Sequence, residues 1–228
     1  MNGRMNARMN GQIHGRIRGR IHGRMNASCA VIVMAKAPVP GYAKTRLIPA
    51  LGAVGAADLA SRLLEHAVAQ ALAAELGPVD LCCAPDHAHS GFAAQALRAG
   101  LVLSSQVEGD LGARMSHALD RWLLCSGRVL MIGTDAPAVD AALLQQAARA
   151  LDETDAVFVP ALDGGYALIG LRQPAPLLFA DMVWSTTTVM AATRTRLLTA
   201  GLRHAELAPV ADIDEPADLV HLPAGWLA

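Results

Sequence analysis

The chain has 228 residues, 53% of them hydrophobic and only 4% aromatic, with a formal net charge of −1. That near-neutral total conceals an asymmetry: residues 1–28 carry six arginines and no acid, and the remainder, with 13 bases and 20 acids, sits near −7. An acidic body argues against a general nucleic-acid surface, no apolar run approaches the roughly 20 residues that span a bilayer, and no signal-peptide core precedes Cys29.

A cytoplasmic protein is therefore expected, with Cys29, Cys82, Cys83 and Cys125 as free thiols, since none has zinc-like spacing. Residues 1–28 are a near-repeat of Gly-Arg, Ile-His-Gly-Arg and Arg-Met-Asn units without helical or strand period. They read as a disordered basic tail, with an upstream start and a functional chain beginning near Met25 as the preferred explanation.

From Cys29 the pattern changes. A β-branched apolar run at 29–35 predicts the first buried strand. Leu59, Leu63, Ala67 and Leu64, Val68, Leu72 recur at helical spacing, predicting a helix over 56–76 that Gly77-Pro78 ends. Strands follow at 79–84, 101–105 and 128–132, separated by helices at 91–99 and 111–124. Beyond them come a helix at 141–151, strands at 156–160 and 166–171, a helix at 187–200, a strand near 203–207 and a short acidic helix from Pro216. Strands alternating with helices across short loops predict an α/β fold, a mostly parallel twisted sheet flanked by helices, with residues 29–228 as one domain. Ligands of such sheets sit beyond the carboxyl ends of the strands.

Two loops leaving strand ends carry the densest chemistry. The first, 36–46, is stiffened by Pro38 and Pro40, opened by Gly41, and places Lys36, Lys44 and Arg46 where a di- or triphosphate would be neutralised. It is not a Walker A loop, and no G-x-G-x-x-G occurs. The second is Gly133-Thr134-Asp135-Ala136-Pro137. Asp135 suits a hard divalent cation, because Mg²⁺ takes one or two protein carboxylates and completes its shell with phosphate and water. On spacing alone a cap for the helix starting near Asp140 is an equal reading. A partner carboxylate is expected in Asp212-Ile213-Asp214-Glu215, with Asp214 preferred although it too is placed as an N-cap. Asp163-Gly164-Gly165 is a turn whose glycines would let a sugar or acceptor approach, with Asp163 accepting hydroxyl hydrogen bonds. Ser185 or Thr186 is first a helix cap, whose amides would also bind an anion, and Arg114 would reach a phosphate or pair with Glu108. The eight histidines show no metal or triad spacing.

Five motifs occur in order: Lys36-Ala37-Pro38-x-Pro40-Gly41-x-x-Lys44-Thr45-Arg46-Leu47, Gly109-Asp110-Leu111-Gly112-x-Arg114-Met115, Gly133-Thr134-Asp135-x-Pro137, Pro160-Ala161-x-Asp163-Gly164-Gly165-Tyr166 and Trp184-Ser185-Thr186. Over about residues 29–220 the chain resembles the glycosyltransferase-like family called radical-SAM/selenodomain-associated transferase 1, itself similar to phospholactate guanylyltransferase. The resemblance implies the GT-A nucleotide-diphospho-sugar transferase fold, with Asp135 holding Mg²⁺ or Mn²⁺ against a diphosphate. This chain departs from the pattern in three ways. Thr134 stands where many relatives have Ser, Tyr42-Ala43 occupies a position commonly filled by Lys, and no full Asp-x-Asp is present.

The expected function is metal-dependent transfer from a nucleotide-activated donor. Asp135, Lys44 and Asp163 are the expected catalytic residues. Lys36, Pro40, Gly41, Lys44, Arg46, Arg114, Gly164, Gly165 and Ser185 are expected to bind the donor, and Asp135 and Asp214 the Mg²⁺ or Mn²⁺. Glycosyl transfer from a nucleotide sugar is preferred; the alternatives are nucleotidyl transfer to a phosphorylated small molecule and a non-catalytic nucleotide-binding module.

Overall fold

The computed structural model describes residues 28–226; the tail expected over 1–28 lies, apart from Ser28, outside the described residues. Seven strands form one sheet: β1 (Ala30–Lys36), β2 (Val79–Ala84), β3 (Leu101–Ser105), β4 (Val129–Ile132), β5 (Ala156–Pro160), β6 (Tyr166–Leu171) and β7 (His204–Glu206), in the order β3-β2-β1-β4-β6-β5-β7. The first four run parallel, with Val31 beside Val79 and Ala30 beside Val129. β6 is antiparallel to both β4 and β5, while β7 pairs parallel to β5. The expected mostly parallel sheet is thus found with one reversed strand, because the 163–165 turn makes β5 and β6 a hairpin.

Both faces of the sheet are covered, which is why its strands read as mainly apolar runs rather than alternating ones. Val31 and Val33 point toward α1 (Ile48–Ala73) and α4 (Ala141–Glu153), packing with Leu64, Val68, Leu144 and Leu151. Ala30 and Ile32 point the other way, toward α3 (Leu111–Ser126) and α5 (Val189–Thr199), where Met115, Leu119, Trp122 and Leu197 close a second core. The short α2 (Ala93–Ala96) lies beside β3.

α1 begins eight residues earlier than periodicity suggests and is interrupted at Gly52, whose φ of 71° is open to glycine at little cost. With the 3₁₀ turn Thr45–Leu47 before it, the stretch Thr45–Ala73 is long and apolar enough to cross a membrane by length and composition alone, which the residue pattern did not anticipate. In the fold its Leu63, Leu64, Ala67 and Val68 are buried, Leu64 and Val68 against the sheet. The acidic helix expected from Pro216 is a 3₁₀ helix, Pro216–His221.

β2 also carries a buried acid. Asp80, fully buried, accepts hydrogen bonds from Ser104 Oγ (2.8 Å) and Trp122 Nε1 (2.7 Å) and pairs with the Arg121 guanidinium. Burial pushes its carboxyl above the ordinary range, and Arg121, Trp122 and Ser104 pull it back. These contacts lock α3 onto β2 and β3.

Candidate functional site

A cavity of about 890 Å³ opens beyond the carboxyl ends of the parallel strands, large enough for a nucleotide with an attached group. Each wall is a strand exit. Met34–Lys36 leave β1, Ala84 and Pro85 leave β2, Gln106 directly follows β3, and Thr134 and Asp135 follow β4. Leu111 and Arg114 come from the first turn of α3, the loop 42–46 forms one lip, and Asp214 arrives from the far side.

The cavity has two halves of different chemistry. One is cationic and acidic together. The Lys44 ammonium lies 2.5 Å from Asp135 Oδ1, 2.8 Å from Asp214 Oδ1 and 2.6 Å from the Ile213 carbonyl oxygen. Ile213 N in turn donates to the Asp135 carbonyl at 2.8 Å, tying the two carboxylate segments to each other. Burial works to lower the Lys44 pKa, but the Asp135 and Asp214 carboxylates outweigh it and hold it above the ordinary lysine value. Its backbone is left-handed (φ 47°, ψ 45°), a conformation that persists in a residue with a Cβ only when its surroundings enforce it. Lys36 and Arg46 line the same cavity and are exposed, Arg46 standing 3.8 Å from Glu215.

The other half, by Met34, Ala84 and Pro85, is mainly apolar and offers few polar atoms. Gln106 Nε2 donates to Cys82 O (3.0 Å) and Ala35 O (3.2 Å). With both amide hydrogens committed to carbonyls, its Oε1 is fixed as the acceptor that remains. His89 Nδ1 accepts from Gly91 N at 3.0 Å, so the neutral ring carries its proton on Nε2. Neither residue stands out in the sequence. The signal that would have found Gln106 is positional: like Lys36 and Asp135, it sits at a strand exit.

A second, smaller cavity of about 290 Å³ shares Arg46 and Asp214 with the first and is walled by Asp163, Asp212 and Asp218. Burial, then the Asp163 charge, pushes the Asp212 carboxyl up to about 6. Asp163 Oδ1 accepts from Gly165 N at 2.7 Å, closing the expected turn. Gly164 (φ 93°) meets the start of α5 so closely that a Cβ there would lie 2.1 Å from Thr187 O, and its carbonyl accepts from Met190 N at 2.8 Å. A Gly164→Ala substitution is expected to cost about 2–4 kcal/mol, from overpacking against backbone plus an unfavourable φ. Urea titration of the variant checks this.

The structure decides between the paired readings of several residues. The cap of α4 is Asp140, accepting from Leu143 N, so Asp135 is free of that duty. Glu215 with Asp218, not Asp214, forms the capping box of the last 3₁₀ helix. Arg114 reaches neither Glu108 nor a side chain; its Nε donates to Gly109 O at 2.9 Å while it lines the main cavity. The expected cap at Ser185 or Thr186 is absent: α5 starts at Val189 behind Thr188, with no side-chain cap. Ser185 is exposed in a left-handed conformation (φ 60°) and lines neither cavity, because Thr186 Oγ1 bonds back to Val183 O within its own turn. Gly164 and Gly165 shape the turn rather than a cavity wall, and Pro40 and Gly41 belong to the loop behind the lip.

A divalent cation can be weighed against this geometry. Among the described residues no group of three or more His, Cys, Asp or Glu side chains converges to hold a metal. Asp135 and Asp214, however, aim one oxygen each at a single point already chosen by a cation, and both remain nearly half exposed, at 46% and 42%. Two carboxylates open to incoming phosphates suit Mg²⁺ or Mn²⁺, so the donor set fits.

A family model described as "Uncharacterized protein conserved in bacteria (DUF2064)" matches residues 67–186, which include Gln106, Arg114, Asp135 and the 163–165 turn. Among solved structures, a "putative nucleotide-diphospho-sugar transferase" from Desulfovibrio desulfuricans G20 is 30% identical, with 85% of each chain covered and a TM-score of 0.78. Rv0371c from Mycobacterium tuberculosis H37Rv in complex with manganese is 18% identical over 85% of this chain and 97% of that one, with a TM-score of 0.51. The inositol-1-phosphate CTP transferase from T. maritima is 12% identical over 90% of this chain and 95% of that one, with a TM-score of 0.52. These two likenesses are of fold. No curated protein matches the chain.

Proposed function

The chain belongs to the bacterial family described as DUF2064, and we propose that it is a transferase that takes a nucleotide-activated donor in the larger cavity and transfers its glycosyl group with the help of Mg²⁺ or Mn²⁺. The observation that carries this reading is the convergence of Lys44, Asp135 and Asp214 at the strand exits, beside an apolar half fit for a base. The one domain from residue 29 onward is part of the same reading.

The base lies against Met34, Ala84 and Pro85, where Gln106 Oε1 accepts one of its N–H groups and His89 Nε2–H donates to a ring or carbonyl acceptor. Lys36, Lys44 and Arg46 neutralise the diphosphate. Asp135 and Asp214 would hold the metal, which when bound would supply Lewis-acid stabilisation of the leaving diphosphate. The acceptor hydroxyl enters from the acidic cavity, oriented by Asp163. Its oxygen bonds to the anomeric carbon as the bond from that carbon to the diphosphate breaks, and its proton passes to a cavity carboxylate.

Nucleotidyl transfer has its own support, in the three loop cations and in the fold shared with the CTP transferase. It needs an anionic acceptor, which would meet five carboxylates, Asp163, Asp212, Asp214, Glu215 and Asp218, against Arg46 and His221 in the smaller cavity. That charge favours glycosyl transfer to a neutral acceptor.

A thermal-shift panel of nucleoside triphosphates, diphosphates and nucleotide sugars, each with and without Mg²⁺ or Mn²⁺, tests the reading. A ligand at about 100 times its Kd stabilises by about 2.7 kcal/mol. Metal-dependent stabilisation by a nucleotide sugar is expected; no shift with any ligand in folded protein would remove the donor site, and a preference for triphosphates would select nucleotidyl transfer. Gln106→Leu should weaken nucleotide binding about tenfold, the loss of one buried polar contact, and leave inorganic pyrophosphate affinity unchanged by calorimetry.

A further inference from the structure

Lys44 is too well satisfied to act as described without moving. An ammonium has three hydrogens, and here three oxygens surround it within 2.8 Å: Asp135 Oδ1, Asp214 Oδ1 and Ile213 O. No donor hydrogen is left for a phosphate. The side chain is 8% exposed while its two carboxylate partners are nearly half exposed, so Lys44 reaches them from beneath the loop and leaves their outer faces toward the cavity. Its left-handed backbone, behind the flexible φ of 81° at Gly41, belongs to a short loop that the ion pairs hold down.

We propose that Lys44 is an internal counter-cation that occupies the metal's place in the donor-free protein, so that metal and donor bind as a mutually dependent pair. This rests on the metal-dependent donor reading above. The charge balance argues for it. With Lys44 in place the two carboxylates keep one net negative charge. A divalent cation arriving alone displaces the ammonium from both partners and leaves it facing the metal. Phosphates arriving alone draw the ammonium off and leave two carboxylates facing them. When both arrive, the metal takes the carboxylates and the ammonium takes a phosphate, and every charge is opposed. Each ligand therefore raises the affinity for the other by the same factor, within the usual range of about 5–150-fold. In this role Lys44 is a gate on site occupancy as well as a phosphate ligand; Lys36 and Arg46, exposed throughout, meet the phosphates without such exchange.

The test uses the full chain with Mn²⁺ and inorganic pyrophosphate as probes. Free Mn²⁺ is followed by electron paramagnetic resonance, and binding is corrected for the complex the two form in solution. Wild type should bind Mn²⁺ weakly alone and at least about tenfold more tightly with pyrophosphate. Lys44→Met should bind Mn²⁺ alone at least about tenfold more tightly than wild type, yet bind pyrophosphate alone more weakly. Lys44→Arg, which keeps the charge, should retain weak binding of the metal alone. A lysine that merely braced the loop would, on removal, weaken both ligands. Parallel losses in folded Lys44→Met would overturn the proposal, as would uncoupled binding of the two probes to wild type, a measurement that needs no variant. Wild type that binds neither probe in any combination would instead overturn the donor-site reading itself.

Discussion

Asp135→Ala is expected to lower kcat about a thousandfold, equivalent to about 4 kcal/mol of transition-state stabilisation, while the protein stays folded. The carboxylate is nearly half exposed, caps no helix and supports no core contact, so its removal costs the fold little. What it does remove is one of the two oxygens aimed at the cation point and one of the three partners of Lys44. Asp135→Asn, matched in size, should lose nearly as much, because in the proposed reaction the charge rather than the volume would hold the metal. Single-turnover kinetics with a donor found by thermal shift would separate chemistry from binding. Unaltered turnover in either variant would take Asp135 out of the reaction. A non-catalytic nucleotide-binding module would show no turnover to lose and would keep its partner through the substitution.

The second large effect is on stability, and it lies across the sheet from that loop. Asp80→Ala should destabilise by about 3–5 kcal/mol, the usual cost of breaking a buried ion pair from one side. For a domain of this size the melting temperature should fall by about 10 °C. The substitution takes the acceptor from the Trp122 indole N–H and the Ser104 hydroxyl and leaves the Arg121 guanidinium only its bond to Ser104 Oγ among the described residues. The double variant Asp80→Leu with Arg121→Met removes both charges at once and should recover much of the loss, since apolar replacement of a buried pair is often neutral. A double variant as unstable as the single one would mean that the network's geometry, not its charge, holds α3 in place. The site would register the damage as well, because Leu111 and Arg114 at the head of that helix line the main cavity.

Much of the sheet was legible from composition alone. β2, β3, β5 and β6 lie where the apolar runs predict them, because strands buried on both faces are mostly apolar and the buried Asp80 of β2 is paired. The reversal of β6 was not legible, since an apolar hexapeptide reads the same in either direction. Helix starts were harder: Gly52 and Gly55 mask the first turns of α1, and α5 begins later than the Ser185-Thr186-Thr187 run suggests. In the site, Lys44, Arg46, Lys36, Arg114, Asp135 and Asp214 were named from the sequence and meet around one cavity. Asp212 and Asp214 share one side of an extended segment, so spacing could not separate them; in the fold Asp214 Oδ1 stands 2.8 Å from Lys44 Nζ, while Asp212 lines the smaller cavity. Gln106 and His89 escaped notice because an amide and an imidazole acquire meaning only once their neighbours have used up particular hydrogen-bonding atoms.

The lysine that organises the cavity finds two of its three oxygens 169 and 170 positions further along the chain. During synthesis, the cationic loop and the β4 carboxylate leave the ribosome long before residues 213 and 214, and a domain folds as a unit. Until that late segment is in place, Lys44 has one of its two carboxylate partners and Arg46 lacks Glu215. The last residues of the domain to be made therefore complete the ion pairs of a loop that follows its first strand.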